Sequence, residues 1–260
     1  MVVELGVARV LTPAFGGSIS VWAVIIALTL LALSVGYAVG GRMADRKSGM
    51  RVALVAALSG AGFCALIPFI RRPLLGWTVD FSSFSGALVS SLFLIGPPLF
   101  FFGQVSPALI RGLSREDGQG VGTTAGRIYA ISTLGSLLGT LAGAWMFLYL
   151  PLKAGFVGTA MAVTLPVPFL RKRVGQAAIA GLAVLLGYVL MLPGSGVGAV
   201  NWNGHVFELT AVRQSHYGEV RIVDQDGRFR YLVANGITQG GVRISNGRSV
   251  FGYTDALLGL

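Results

Sequence analysis

Apolar residues run through the first 192 positions in long blocks, whereas from Val206 onward they alternate with polar ones. The blocks cover Ser20 to Val39, Met50 to Ile70, Gly86 to Ile110, Gly126 to Leu150, Ala154 to Leu170 and Val174 to Leu192. Each falls within the roughly 17 to 25 residues that carry a helix across a bilayer core. They predict an all-α polytopic membrane bundle of six to seven transmembrane helices over residues 1–192. Ala154 to Leu170, with Pro166 and Pro168, is the weakest of the set. A seventh block, Met1 to Leu11, is too short, and it carries Glu4 and Arg9 without a basic leader or a small-residue cleavage site. It is expected to be the remainder of a first span that starts upstream, not a cleaved signal peptide. Residues 193–205, which include Gly194-Ser195-Gly196-Val197-Gly198, predict a flexible linker. Residues 206–260 predict a small antiparallel β-domain. Val220 and Ile222 share one strand face, and Phe229, Tyr231 and Val233 share another. Asp226-Gly227 and Asn235-Gly236 supply the positive φ that hairpin turns need.

Composition places the chain outside the soluble class: 54% of residues are hydrophobic and only 12% charged. The net charge of +10 changes the picture only once the basic residues are located. Arg42, Arg46, Lys47, Arg51, Arg111, Arg115, Arg127, Arg171, Lys172 and Arg173 fall on one side if the spans alternate, against Arg71, Arg72 and Lys153 on the other. Such an excess marks the cytoplasmic side. The basicity is therefore topogenic, the partner it implies is the lipid bilayer of the cytoplasmic (inner) membrane, and nucleic acid is not expected. After six alternating spans the tail falls on the outer face. Cys64 is the single cysteine, and His205 and His216 lack a metal-ligand spacing, so no metal site is readable.

Within the spans, Gly135, Gly139 and Gly143 recur every four residues and line one helix face, the pattern of close helix packing. Pro97-Pro98 is expected to kink its span. The stretch Gly40-Gly41-Arg42-Met43-Ala44-Asp45-Arg46 predicts a tight charged turn in which Asp45 pairs with Arg42 or Arg46 or caps a helix end. It resembles the loop between the second and third helices of major-facilitator transporters.

A longer series of residues carries a second resemblance. Glu4-Leu5, Arg9-Val10-Leu11, Pro13-Ala14-Phe15-Gly16, Val21-Trp22 and Ala32 to Tyr37 lead into Gly41 to Arg46. Ser106 to Arg111 and Gly126 to Ala130 follow, then the glycine stripe and Pro151. In this order they resemble the membrane half of fused, membrane-bound spermidine synthase-like proteins, in which about seven helices precede a polyamine aminopropyltransferase domain. The tail is similar to the N-terminal β-domain of that family at Ser215-His216-Tyr217-Gly218, Asn235-Gly236-Ile237-Thr238-Gln239 and Tyr253-Thr254-Asp255. The resemblance implies substrate-covering roles for Tyr217, Gln239, Tyr253 and Asp255. Gly218 stands where a nucleoside-contacting glutamine is usual, and Asn235 where an aspartate is usual.

The family's co-substrate is decarboxylated S-adenosylmethionine, held by a Rossmann-like domain. No strand, glycine-rich turn and helix in that order occurs in these 260 residues. The expectation is therefore a membrane domain with no catalytic residues or cofactor of its own. It would anchor, or associate with, a separate or lost catalytic domain, or assemble as a homo-oligomer. The resemblance implies cytosolic substrates, whereas span parity places the tail outside. Two other classes fit the pattern. One is a small-molecule carrier using Gln104, Tyr129, Ser132 and Thr133. The other is an accessory subunit of a membrane complex.

Overall fold

The computed structural model describes residues 1–116, 120–149, 152–164, 181, 187, 199–202, 205–215, 218–234 and 237–252. It divides into two compact units, residues 1–147 with 151–191, and residues 148–150 with 192–260. The first is helical and the second a β-sheet.

The helical unit contains α1 (Val2–Phe15), α2 (Ile19–Arg46), α3 (Gly49–Thr78), α4 (Ser83–Glu116), α5 (Val121–Tyr149) and α6 (Leu152–Thr164). Four stretches, Ile19–Arg46, Gly49–Thr78, Ser83–Ser114 and Val121–Phe147, are long and apolar enough to cross a membrane. At about 1.5 Å per residue each exceeds the roughly 30 Å hydrocarbon core. Ser18 opens α2 by accepting the Val21 amide on its hydroxyl, 3.5 Å away. Helix α4 continues through Pro97, Pro98 and Pro107.

The first apolar block forms α1, capped by Met1, and α1 contributes Val3, Val7, Val10, Leu11 and Phe15 to the core of the unit. Its apolar side packs along the longer helices beside it. Two expectations, the turn at Gly40 to Arg46 and the linker, require correction. Gly40 to Arg46 is not a turn: it forms the last two turns of α2, and the break falls at Lys47-Ser48. Neither Gly40 nor Gly41 stops the helix, because Gly40 is packed against α4 rather than left to solvent. The sheet begins at Ala199, inside the stretch read as a linker.

The core joins α1 to Val21 and Ile25 of α2, Cys64 and Ile67 of α3, Leu94, Ile95 and Leu99 of α4, and Phe156 of α6. Phe156 is fully buried, and its ring meets that of Phe147 edge-on at 5.7 Å. Helix α5 behaves differently. Leu134, Leu137, Leu138, Leu141 and Trp145 are all exposed, and its apolar character shows no preferred side, as befits a surface that meets acyl chains.

The β unit is a five-stranded antiparallel meander of β1 (Ala199–Trp202), β2 (His205–Ser215), β3 (Gly218–Gln225), β4 (Phe229–Ala234) and β5 (Ile237–Arg243), each strand beside its successor. Val220 and Ile222 pair with Ala234 and Leu232 on one face, while Val223 and Gln225 pair with Tyr231 and Phe229 on the other. The alternation read from the sequence is thus the alternation of the sheet. Asp226 and Gly227 have φ of 52° and 63°, and the Arg228 amide donates to the Gln225 carbonyl at 3.0 Å. Two successive positive φ values make the tight turn that matches strand twist. Asn235-Gly236 lies outside the described residues.

Candidate functional site

Two side-chain pairs among the described residues organise the polar groups of the β3–β4 hairpin. Asp224 and Arg230 stand opposite each other on β3 and β4. Arg230 donates from Nε to Oδ1 at 2.7 Å and from Nη2 to Oδ2 at 2.8 Å, a two-pronged arrangement. The Arg230 guanidinium, seconded by the Thr210 hydroxyl, holds the Asp224 carboxyl below its ordinary value. Thr210 is free to do so because the β2–β3 register slips between Leu209 and Ala211, leaving Thr210 without a cross-strand partner.

Asp226 closes the second pair. Its Oδ1 accepts the Val206 amide at 2.8 Å and its Oδ2 lies 2.6 Å from His205 Nδ1, while its own amide donates back to the Val206 carbonyl at 2.8 Å. The Val206 amide, then His205, hold the Asp226 carboxyl below its ordinary value. One residue thereby shapes the β3–β4 turn and ties it to the start of β2.

These shifts give a pH dependence of known sign. A carboxyl lowered in the folded state stabilises it fully above the ordinary value of 3.8 and loses that effect as pH falls through the lower folded value. Arg230 is half exposed, so solvent screening keeps the contribution of the pair small. Asp224→Asn is expected to reduce amide-exchange protection in β3 and β4 several-fold at pH 7, and to match the parent chain near pH 2. An equal gap at both pH values would show that the carboxylate charge is irrelevant.

Of the residues assigned substrate-covering roles by resemblance, Tyr217, Tyr253 and Asp255 lie outside the described residues. Gln239 is exposed on β5. Leu232 pairs with Gly240 and Val233 with Thr238, so Gln239 is the extra residue of a β-bulge. Bulges re-aim a side chain and gather beside functional sites. Gly218 opens β3 opposite Ser215.

In the helical unit, Asp45 pairs neither with Arg42 nor with Arg46. Its Oδ1 lies 3.2 Å from Arg111 Nε, an ion pair that brings the C-terminal ends of α2 and α4 together. An intrahelical partner is displaced because α4 runs directly alongside α2 at this level. The stripe Gly135, Gly139 and Gly143 faces little: Gly135 has open space around it, and Gly139 and Gly143 meet only the side chain of Val2. One seam where two backbones close is Gly36, Gly40 and Ala44 of α2, all buried, against α4. A methyl group at Gly40 would stand 2.5 Å from Gln104 Cα, and one at Gly36 would collide with the Phe100 carbonyl. This stripe of small residues at four-residue spacing was available in the sequence, but nothing there distinguished it from the one in α5.

Of the carrier candidates, Gln104 is buried in α4, whereas Tyr129 on α5 is exposed. Among the described residues no three His, Cys, Asp or Glu side chains gather as a metal set. Comparisons with protein-family models, with curated proteins and with solved structures find no match.

Proposed function

We propose that the chain is the membrane part of a spermidine synthase-like protein, in which a helical bundle carries a small β-domain of the polyamine aminopropyltransferase type. The catalytic domain is supplied from outside these 260 residues. The observation that supports this reading is the succession of an apolar helical unit and an antiparallel sheet whose bulge presents Gln239, the described member of the substrate-covering set. In this account six to seven helical segments set the bundle in the cytoplasmic membrane, with the basic ends of α2 and α4 inward. Parity puts the tail outside if both apolar segments after α5 cross, and in the cytoplasm if only one does. Ala154 to Leu170, with Pro166 and Pro168, is the segment whose crossing decides between the two. Cytosolic polyamine and nucleoside substrates require the second arrangement.

Two tests bear on it. The gene's own continuation or its neighbours should encode a strand, glycine-rich turn and helix of the nucleotide-binding kind; a locus without one removes the basis of the reading. The purified 260-residue chain, given labelled putrescine and decarboxylated S-adenosylmethionine, should form no spermidine above background by mass spectrometry, because the domain that positions the reactants is missing from it. Spermidine that depends on this chain and disappears with Asp255→Ala would overturn the assignment.

One observation favours a second reading, a small-molecule carrier. Gln104, one of the polar side chains read as a carrier's contacts, is buried in α4, a helix long and apolar enough to cross a membrane. Polar groups inside a helical bundle are where a carrier holds its substrate. Labelled putrescine should enter proteoliposomes no faster than empty vesicles under the synthase-like reading. Faster uptake, lost in Gln104→Ala, would favour the carrier.

A further inference from the structure

The β3–β4 turn and the end of β5 enclose an open hollow of about 390 Å³ lined by Gly227, Arg228, Phe229, Arg243 and Ser245. Its walls are tied to one another. Arg243 stands opposite Phe229 in the β4–β5 register, and the Ile244 amide donates to the Arg228 carbonyl at 2.9 Å. Beyond β5 the chain folds back at once, with the Arg243 amide donating to the Arg248 carbonyl at 2.8 Å and the Gly247 amide to the Arg243 carbonyl at 2.9 Å. Both arginines therefore project from short, hydrogen-bonded segments of backbone.

The charge around the hollow is not balanced from within. Asp224 is held by both prongs of Arg230. Asp226, next to Gly227, has one carboxylate oxygen on the Val206 amide and the other on His205. Its charge is felt by Arg228, but no carboxylate among the described residues forms an ion pair with Arg228 or Arg243. Two arginines thus line a concavity together with a serine and a phenylalanine. Guanidinium forks match the oxygens of a phosphate, each able to take two at once. The hydroxyl of Ser245 adds a donor, and Phe229 adds an apolar wall that suits an organic ester better than a bare ion.

We propose that this hollow binds a phosphate ester through Arg228 and Arg243. The phosphate is carried by a soluble phosphorylated metabolite or by the headgroup of an anionic phospholipid. The site uses none of the residues assigned to polyamine chemistry, and a polycation would be repelled from it, so it stands whether or not the synthase-like reading does.

The test uses the full chain in uncharged detergent, with pyrophosphate as the soluble probe in calorimetry. The lipid arm places the chain in phosphatidylcholine nanodiscs with or without phosphatidylglycerol and reads amide exchange over residues 225–229 and 243–248. Arg228→Gln and Arg243→Gln remove charge at exposed positions, and Arg213→Gln removes an exposed charge of β2 that does not line the hollow. Pyrophosphate affinity is expected to fall about tenfold in each of the first two variants, the loss of a charge-assisted hydrogen bond, and to hold in the third. Binding in the soluble arm alone assigns a metabolite. Phosphatidylglycerol-dependent protection that the first two variants abolish assigns a headgroup. No response in either arm, or equal losses in all three variants, would overturn the proposal.

Discussion

Gly40→Leu is expected to lower the thermal midpoint of the detergent-solubilised chain by roughly 6 to 12 °C, a loss of about 3 kcal/mol. At Gly40 an added methyl meets not the end of a flexible side chain but Gln104 Cα, 2.5 Å away, so relief requires the α2 and α4 backbones to separate. Separation would also strain the Asp45–Arg111 pair just beyond. In a bilayer, where lipid tails are as apolar as leucine, this close packing is what holds two helices together. Gly135→Leu, facing open space, is the matched control and should shift the midpoint by no more than a degree or two, about the spread of surface substitutions. Similar shifts for both variants in a thermal aggregation assay would mean that the α2–α4 seam does not carry the bundle.

Phe156→Ala should be nearly as damaging, costing about 3 kcal/mol or more. Phe156 is the largest of the fully buried side chains, wedged between Phe147 and the backbone of α1 at Gly6. Its removal leaves a void that two rigid helices cannot fill, and dispersion contacts on three elements are lost together. The readout is the same midpoint, supplemented by amide exchange in α1: protection of Val7 to Leu11 should fall because their neighbour has gone. A variant with unchanged midpoint and α1 exchange would show that α6 does not pack in the core.

The apolar blocks and the alternating tail were legible because each depends on local pattern alone. The errors arose where the third dimension decides. The polar run Arg42 to Arg46 looked like a turn, yet long basic side chains can extend from a helix end to water while the helix continues beneath them. The glycine stripe of α5 was read as a packing face, whereas the position of α4 is what makes Gly36 and Gly40 a close-packed pair. In the tail, β1 is four residues without clear alternation, so only its pairing with β2 reveals it. Gln239 could be noted from a motif, but its place in a bulge depends on the register with β4. The Asp226–Gly227 turn was readable to the residue, since the need for positive φ is written in the pair itself.

The measurement that tests the synthase-like account most directly asks on which side of the membrane the β unit lies. Ser245→Cys places a thiol at an exposed position of the tail, and Cys64→Ala removes the buried native one. A membrane-impermeant maleimide is then applied to intact cells and to permeabilised ones. The account predicts modification only after permeabilisation, with the β unit in the cytoplasm beside polyamine and nucleoside substrates. Full modification in intact cells would place the unit outside and contradict it.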